Sequence, residues 1–265
     1  MFWYKRNGRC MWLCSSRLIM SIHAHKTGLV KTLGQQSDAI VTSDLIGNFV
    51  PSLGIATTHW TNQAASNALR RFNSIAHNNS APHNFQFDGT NDYLGQASTG
   101  YGGTAFTINI ANAYTLGCWW KHKAGGHNNV FSLGDYTSGG MMLFIRGGSG
   151  VELYVNNQGT VNVALPKGND KWYYLSVVHD GSNNYTVFID GSYAVSLTKT
   201  GATGTQNLEL GRFYDGSSYT YSANESKVGH IHVHSVALKS SQIRQNMLAS
   251  HDINDARIYG ATYTA

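Results

Sequence analysis

Alternating apolar and polar residues dominate the chain from about Gly117 onward, and short groups of turn residues separate the alternating runs. The run 151–156 is representative, because apolar residues occupy every second position: Val151, Leu153, Val155. Successive side chains of a β-strand point to opposite faces, so we expect these residues in the core and Glu152, Tyr154 and Asn156 toward solvent. The repeated pattern predicts an antiparallel sheet.

Consecutive hairpins are predicted within this region. The apolar run 172–178 is followed by turn residues at 180–184 and by a second apolar run at 185–189. An Asp190-Gly191 pair then opens the next turn, because glycine accepts the positive φ that a tight hairpin turn requires.

One stretch of the chain has a convincing helical pattern. Residues 242–248 place Ile243 and Met247 on one face, and either Ser240 or Ser241 can cap the first turn. We expect this helix to pack across the sheet as a closing element.

Length and composition agree with one main β-rich domain. Aromatic residues make up 12% and charged residues 12% of the 265 residues, with 29 Gly and 3 Pro. This balance suits short strands joined by Gly-, Asn- and Ser-rich turns, and β-sandwiches of this length commonly form a single domain. The segment 62–72 fits either a helical turn or an irregular loop. No internal repeat indicates a solenoid or a propeller.

Positive charge is concentrated at the start of the chain. The formal net charge is +5, and the first 20 residues contain no acid and four basic residues: Lys5, Arg6, Arg9, Arg17. The rest of the chain is therefore nearly neutral. Nucleic-acid binding is disfavoured, because no basic stripe interleaved with aromatic residues follows Arg17.

Residues 1–20 contain short apolar pieces, but basic residues interrupt them too often for a secretory signal or a membrane span. Two interpretations of this segment stay open. It is either a mis-assigned extension, with Met20 as the true start, or a basic arm that docks onto a larger assembly.

The chain has three cysteines: Cys10, Cys14, Cys118. An odd number without a second pair indicates neither a disulfide scaffold nor a four-ligand zinc site. Cys118 lies in the apolar run 116–120 and is expected to be a small buried hydrophobic residue.

Three histidines alternate along one predicted strand: His230, His232, His234. Residues two apart on a strand lie about 6.5 to 7 Å apart, which is too wide for all three imidazoles to hold one zinc ion. We therefore expect a solvent-facing row beside the buried Ile231 and Val233.

Several stretches resemble the laminin-G-like family of the concanavalin A-like lectin/glucanase superfamily, and they occur in the family's order. Residues 85–94 resemble its "sFsFDGtnDyv" stretch, and 172–181 with 187–191 resemble its "W-x-hva-v-x-dG … lYvDG" hairpin. Residues 228–246 resemble the closing strand and helix in the variant typical of phage and other viral members. Residues 53–60 resemble the "GsgTTW" opening of the same members.

The resemblance implies an all-β, antiparallel jelly-roll sandwich with one short C-terminal helix, over residues 39–258. Residues 1–38 then form the arm or extension, and residues 259–265 form a tail. Ser235 and Gln242 depart from the family pattern without affecting the fold. The viral-type closing stretch implies a structural protein at a virion surface or another extracellular location.

Catalysis is not expected from this sequence. Glucanases of this superfamily use paired acids of the form E-x-D-x-E, because retaining hydrolysis needs two carboxyl groups about 5 to 5.5 Å apart. The 14 acidic residues contain no such motif, and G-x-S-x-G is absent.

Calcium is the one cofactor that the resemblance suggests, since related domains hold hard cations in loops. The candidate ligands are Asp88, Asn91 and Asp92. The alternative, which we favour, is that Asp88 and Asn91 hydrogen-bond their own turn. No cofactor is therefore required.

Two loops, 135–140 and 212–221, combine tyrosines with polar residues suited to sugar hydroxyls. The candidate carbohydrate-binding residues are Tyr136, Arg212, Tyr214, Asp215, Tyr219, Tyr221. Loops of Tyr, Ser and Gly also suit protein contacts.

The first hypothesis is therefore a virion-surface protein that binds host glycans, as a homo-oligomer or as part of a larger assembly. The second hypothesis is a purely architectural capsid or tail component whose partners are other virion subunits. The third, a polysaccharide-cleaving enzyme, is the least favoured.

Overall fold

The protein is described by a computed structural model that covers residues 3–6, 9–12, 39–80, 82–96, 104–147, 150–159, 162–223 and 225–252. The chain divides into two units, Met1–Ser37 and Asp38–Ala265. Met20 and the predicted tail 259–265 lie outside the described residues. Within the described ranges, no helix combines the length and apolar character that a membrane crossing requires.

The first unit contains two short strands, β1 (Trp3–Arg6) and β2 (Arg9–Trp12). They pair antiparallel, with Trp3 opposite Trp12.

The second unit contains the remaining strands and one described helix. The first strands are β3 (Leu45–Phe49), β4 (His59–Thr61), β5 (Asn67–Phe72), β6 (Ala76–Asn78), β7 (Asn84–Gln86), β8 (Tyr93–Gln96), β9 (Thr104–Ala105), β10 (Thr107–Asn109), β11 (Tyr114–Lys121) and β12 (Asn128–Leu133). They are followed by β13 (Met141–Arg146), β14 (Gly150–Val155), β15 (Val163–Ala164), β16 (Trp172–His179), β17 (Asn184–Ile189), β18 (Ser192–Thr198), β19 (Thr205–Glu209), β20 (Arg212–Tyr214), β21 (Tyr219–Tyr221), β22 (Lys227–His234) and the helix α1 (Ser240–Asp252).

Two large sheets make up most of this unit. The eight-stranded sheet has the order β18-β17-β16-β11-β22-β7-β6, with β3 also paired to β22, and the six-stranded sheet has the order β10-β19-β12-β13-β14-β15. A smaller sheet contains β4, β5 and β8, with β9 parallel to β5, and β20 and β21 form a separate hairpin. The predicted antiparallel β-sandwich with one C-terminal helix is confirmed.

The main core lies between the two large sheets, because alternate residues of their strands point toward each other. The eight-stranded sheet contributes Leu116, Cys118 and Trp120 from β11, and the six-stranded sheet contributes every second residue of β13: Met141, Leu143, Ile145. Cys118 is fully buried, as predicted, and burial raises the pKa of its thiol. Its role is therefore packing.

The predicted Asp-Gly hairpin turn is confirmed between β17 and β18. Asp190 and Gly191 both have positive φ, 50° and 71°, as a two-residue hairpin turn of this kind requires. Asp190 Oδ1 also accepts the backbone N–H of Tyr174 at 2.9 Å, which ties the turn to β16.

Only the first part of the segment 62–72 is an irregular loop, since Asn67–Phe72 form strand β5. Its partners β4 and β8 lie on either side of it, so the strand is stabilised by pairing with residues up to Gln96. The residues of this segment alone do not predict which strands pair with it.

Helix α1 extends further than predicted and already begins at Ser240, so that Lys239 is the residue before its first turn. Gln242 Oε1 accepts the backbone N–H of Lys239 at 2.9 Å. This is the reciprocal half of a capping box, in which a side chain of the first turn bonds back to the preceding residue. Ile243 and Met247 are buried together, as the predicted apolar face requires.

The prediction of a solvent-facing histidine row is wrong. His230, His232 and His234 are at most 1% exposed, because helix α1 and the segment before β3 cover this face of the eight-stranded sheet. His234 contacts the carbonyl of Ser43 at 3.0 Å and Asn246 of α1 at 3.0 Å.

The other two histidines of this row lie side by side. The ring centroids of His230 and His232 are 4.2 Å apart. His230 Nε2 is 2.6 Å from Asn48 Oδ1, and His232 Nδ1 is 3.1 Å from the Tyr174 hydroxyl. Burial lowers the pKa of His230 to about 3 and that of His232 well below its usual value.

We expect acid to destabilise this domain through these histidines. Below pH 6.5 the unfolded chain takes up protons at His230 and His232, whereas the folded chain does not. The free energy of unfolding should therefore fall by on the order of 4 kcal/mol between pH 7 and pH 5. Urea unfolding at both pH values measures the effect.

The variant His232→Asn should lose about half of this pH dependence, and the exposed His127→Asn is the matched control that should retain it. An unchanged pH dependence in His232→Asn would show that the buried row does not control acid stability.

Candidate functional site

The hairpin of β20 and β21 lies against the outer face of the six-stranded sheet. Phe213 points inward and packs on Met142 and Phe144, which alternate with the core residues of β13. The backbone carbonyl of Arg212 accepts a hydrogen bond from Ser132 Oγ at 3.0 Å. The hairpin is therefore held on the sheet by an apolar contact and by polar contacts to β12.

Residues from the four strands β5, β8, β20 and β21 form a continuous stack, which we call the aromatic column: Arg70, Phe72, Tyr93, Arg212, Tyr219. The Arg70 guanidinium lies 4.4 Å from the Phe72 ring centre, and Phe72 and Tyr93 stack at 3.9 Å and 9°. Arg212 then lies 3.4 Å from Tyr93 and 4.0 Å from Tyr219.

Within the aromatic column, most faces are already occupied. Phe72 and Tyr93 each have a neighbour on both sides, and Arg212 lies between two rings. Tyr219 ends the column and keeps 46% of its surface exposed. Tyr214 adjoins it at 4.9 Å, and Tyr221 lies 6.4 Å from Tyr93. The exposed end of the column is therefore Tyr219.

Arg212 is held by a carboxylate as well as by the two rings. Its Nε and Nη2 donate to the two carboxylate oxygens of Glu209 at 2.9 and 2.6 Å. The side chains are 12% and 17% exposed, respectively. This bidentate geometry fixes the guanidinium plane, and with it the orientation of Tyr219.

Asp215 organises the turn between β20 and β21. Its Oδ1 accepts the backbone N–H groups of Ser217 at 2.9 Å and Ser218 at 2.7 Å. The hydrogen bonds from Ser218 and Ser217 lower the pKa of Asp215 to about 2. The carboxylate is therefore charged at any physiological pH.

The structure separates Tyr136 from the other predicted residues. Its ring packs at 5.6 Å on Tyr154 and at 5.7 Å on Phe213, on the face of the hairpin opposite the aromatic column. Burial, with the nearby Asp215, raises the pKa of Tyr136. The predicted set therefore divides into a group around Tyr219 and a second group around Tyr136.

Sequence reasoning missed Phe72, Tyr93 and Glu209 as parts of this site. Tyr93 was used only as part of the stretch that resembles the family, and Phe72 lies in the segment without a clear pattern. No local signal could have joined them to Arg212, because β5, β8 and β20 meet only in the folded chain.

Glu152 does not face solvent, contrary to prediction. It points to the outer face of the sheet but is 6% exposed, with Arg146 Nε donating to it at 2.9 Å and Asn162 Nδ2 at 3.4 Å. Tyr154 and Asn156 are half-buried. The loops and side chains on this face therefore cover positions that an isolated sheet would expose.

The two glutamates of the six-stranded sheet lie in different rows. Glu209 pairs with Ser132, and the same row continues through Met142 to Tyr154, whereas Glu152 lies in the neighbouring row. Their strands, β19 and β14, are separated by β12 and β13, which corresponds to three spacings of about 4.8 Å each. A retaining glycosidase needs its carboxyl groups about 5 to 5.5 Å apart, so these two do not form such a pair.

Two of the three predicted calcium ligands, Asp88 and Asp92, accept hydrogen bonds within their own turn. Asp88 Oδ1 accepts the backbone N–H groups of Thr90, Asn91 and Asp92 at 2.8 to 3.3 Å. Asp92 Oδ2 accepts the N–H of Asp88 at 3.2 Å, and burial, with the nearby Asp88, raises the pKa of Asp92 to about 6. These contacts support the turn interpretation, and calcium binding stays a prediction.

Among the described side chains, no group of three or more His, Cys, Asp or Glu residues is arranged to hold a metal ion. The buried histidine row of β22 is included in that statement. One ring nitrogen each of His230 and His232 contacts Asn48 and Tyr174, and the two nitrogens of His234 contact Ser43 and Asn246.

We expect Arg212→Lys to destabilise the hairpin. Lysine keeps the charge but loses the bidentate contact to Glu209 and the flat stacking surface, at a cost of about 2 kcal/mol. Urea unfolding followed by tyrosine fluorescence measures this. Arg146→Lys is the matched control, since its pair with Glu152 has a half-exposed arginine and should cost less than about 1 kcal/mol. Equal effects in both variants would contradict a special role for the stacked arginine.

We expect Asp88→Ala to lower the free energy of unfolding by about 1 kcal/mol, because three backbone donors lose their acceptor. The loss should be the same in calcium and in a chelator. A melting temperature of the unmodified protein that rises with calcium, with no rise in Asp88→Ala, would instead show that the turn binds the ion.

Several solved structures share this fold. A sialidase of Trypanosoma rangeli in complex with sialic acid has a TM-score of 0.64 at 14% identity, over 90% of this chain and 40% of the sialidase. The receptor-binding domain of botulinum neurotoxin type G has a TM-score of 0.56 at 10% identity, over 77% of this chain and 51% of that domain.

The binding domain of botulinum neurotoxin serotype D has a TM-score of 0.56 at 14% identity, over 79% of this chain and 52% of that domain. The chain thus spans about half or less of the length of these proteins. At such identities the similarity concerns the fold alone, and no curated protein sequence matches the chain significantly.

A laminin-G family model, described as the concanavalin A-like lectin/glucanases superfamily, matches residues 88–244. This range is more than half of the chain, and it begins at the Asp88 turn and ends within helix α1. It also includes the hairpin that carries Tyr219. The chain therefore belongs to the laminin-G-like branch of the concanavalin A-like lectin/glucanase superfamily.

Proposed function

We propose that this protein is a non-catalytic glycan-binding protein, and that Tyr219 at the end of the aromatic column is the surface on which a sugar ring stacks. The single observation that carries the proposal is the ring of Tyr219, which is 46% exposed yet fixed from behind by Arg212 at 4.0 Å.

The chemistry of this position suits a carbohydrate. One face of a sugar ring presents C–H groups, which pack favourably on the electron-rich face of an aromatic ring. Its hydroxyl groups need hydrogen-bond partners close by, and the turn next to Tyr219 offers Asp215, Ser217 and Ser218. An apolar platform with a few polar groups is the usual composition of a small-ligand site.

The support behind the platform favours binding energetically. Arg212 is fixed by Glu209 and by Tyr93, so that little conformational freedom remains to be lost when a ligand binds Tyr219. A flexible tyrosine on an unsupported loop would bind the same ligand more weakly.

The absence of catalysis forms part of the proposal. Glu209 and Glu152 are each engaged by an arginine and lie on strands separated by two others, an arrangement that favours structural roles for both carboxylates.

We place the protein at a virion surface or in another extracellular setting, as part of a larger assembly. The viral-type closing stretch at 228–246 supports this setting. One of the proteins that share the fold is named as a neurotoxin receptor-binding domain and another as a neurotoxin binding domain, and they support a recognition role by analogy of fold.

The proposal predicts that Tyr219→Ala lowers the affinity for a bound polysaccharide at least about tenfold, equivalent to about 1.4 kcal/mol of lost stacking. Tyr193→Ala is the matched control, because Tyr193 is 64% exposed on strand β18 of the other large sheet. Calorimetric titration of the full chain with a panel of surface polysaccharides measures the affinity of both variants.

Equal binding by Tyr219→Ala and the unmodified protein would remove the platform from the proposal. A folded protein that binds no polysaccharide would favour the architectural role, in which the hairpin of β20 and β21 contacts neighbouring subunits.

A further inference from the structure

We infer that the Tyr219 platform takes a neutral glycan, and that it discriminates against sugars that carry carboxylate or sulfate groups. This inference rests on the proposed function and concerns the class of ligand. The charges of the residues around Tyr219 support this inference.

Arg212 of the aromatic column is not available to an anionic sugar. Both carboxylate oxygens of Glu209 accept hydrogen bonds from Arg212, and the guanidinium faces are covered by Tyr93 and Tyr219. A sugar carboxylate would have to displace Glu209 from a pair that is only 12% and 17% exposed. The charges of Arg212 and Glu209 cancel, so this pair presents no net charge to a ligand on Tyr219.

Two other arginines of this region do not make the surroundings of Tyr219 positively charged. Arg146 donates to Glu152 at 2.9 Å, so its charge is also matched by a carboxylate. Arg70 lies at the opposite end of the aromatic column, with Phe72, Tyr93 and Arg212 between it and Tyr219.

Two carboxylates, Asp215 and Asp135, lie at or next to the turn that precedes Tyr219. Asp215 lies in the turn between Tyr214 and Tyr219, and it forms no ion pair among the described residues. Asp135 adjoins the same turn, since its Oδ2 is 3.6 Å from the position that a Cβ on Gly216 would occupy. It also forms no ion pair in the described part of the chain; its Oδ1 accepts the backbone N–H of Thr137 at 2.9 Å.

These carboxylates suit hydroxyl groups and disfavour anions. A carboxylate oxygen only accepts hydrogen bonds, and a neutral sugar supplies hydroxyl donors to it. An anionic sugar supplies a like charge within a few ångströms, well inside the Debye length of about 8 Å at physiological ionic strength. The discrimination should therefore weaken as salt is added.

The test uses whichever neutral polysaccharide of the panel binds the full chain, together with the same polysaccharide oxidised at its primary hydroxyl groups to carboxylates. The oxidised form should bind about tenfold more weakly at low salt, and the difference should narrow at high salt. Asp215→Asn should also reduce the difference in affinity at low salt. The asparagine oxygen can still accept the hydrogen bonds of the turn, but it carries no charge.

Asp180→Asn is the matched control. Asp180 organises the turn between β16 and β17 through the N–H groups of Ser182 and Asn184, but it belongs to the other large sheet. This variant should leave the preference for the neutral polysaccharide unchanged, and thermal melts verify that both variants fold.

The outcomes separate the two proposals. Equal or tighter binding of the oxidised polysaccharide, with loss of binding in Tyr219→Ala, would overturn the neutral class and leave the glycan-binding function intact. If Asp215→Asn does not alter the preference for the neutral polysaccharide, this turn is not the cause of the discrimination. Binding of neither polysaccharide by a folded protein would overturn both proposals.

Discussion

The burial of strand β22 on both of its faces is the constraint on which the rest of the domain depends. Ile231 and Val233 point into the main core, and the alternate histidines point under helix α1. The strand also pairs with β11, β3 and β7. A strand in this position links the sandwich, the helix and the segment before β3, and each histidine of its buried polar face contacts at least one other polar group.

The candidate site depends on the same sandwich at its other side. The six-stranded sheet presents Met142 and Phe144 outward, and the hairpin of β20 and β21 covers them with Phe213. Gly211 makes this crossing possible, since it has a φ of 85° and any Cβ there would collide with the ring of Phe87. The platform of Tyr219 is therefore positioned by a glycine at the base of the hairpin and by an apolar contact beneath it.

Local patterns in the sequence were sufficient where a single strand or turn decided the outcome. The Asp190-Gly191 turn, the buried Cys118 and the apolar face of helix α1 with Ile243 and Met247 all follow from neighbouring residues, and the structure confirms them. The laminin-G-like resemblance added the family to which the sandwich belongs. Sequence reasoning also selected Arg212 and Tyr219, although it grouped them with Tyr136, which packs on the opposite face of the hairpin.

The sequence by itself therefore determined the antiparallel sandwich and the aromatic character of the loop at 212–221, because periodicity and turn chemistry are local properties. Only the tertiary structure decided which faces are covered and which side chains meet. The histidine row is buried by a helix that follows it in the chain, and the aromatic column joins Phe72, Tyr93 and Arg212 from strands far apart in sequence. Alternation tells which residues share a face of a sheet, but not what packs against that face.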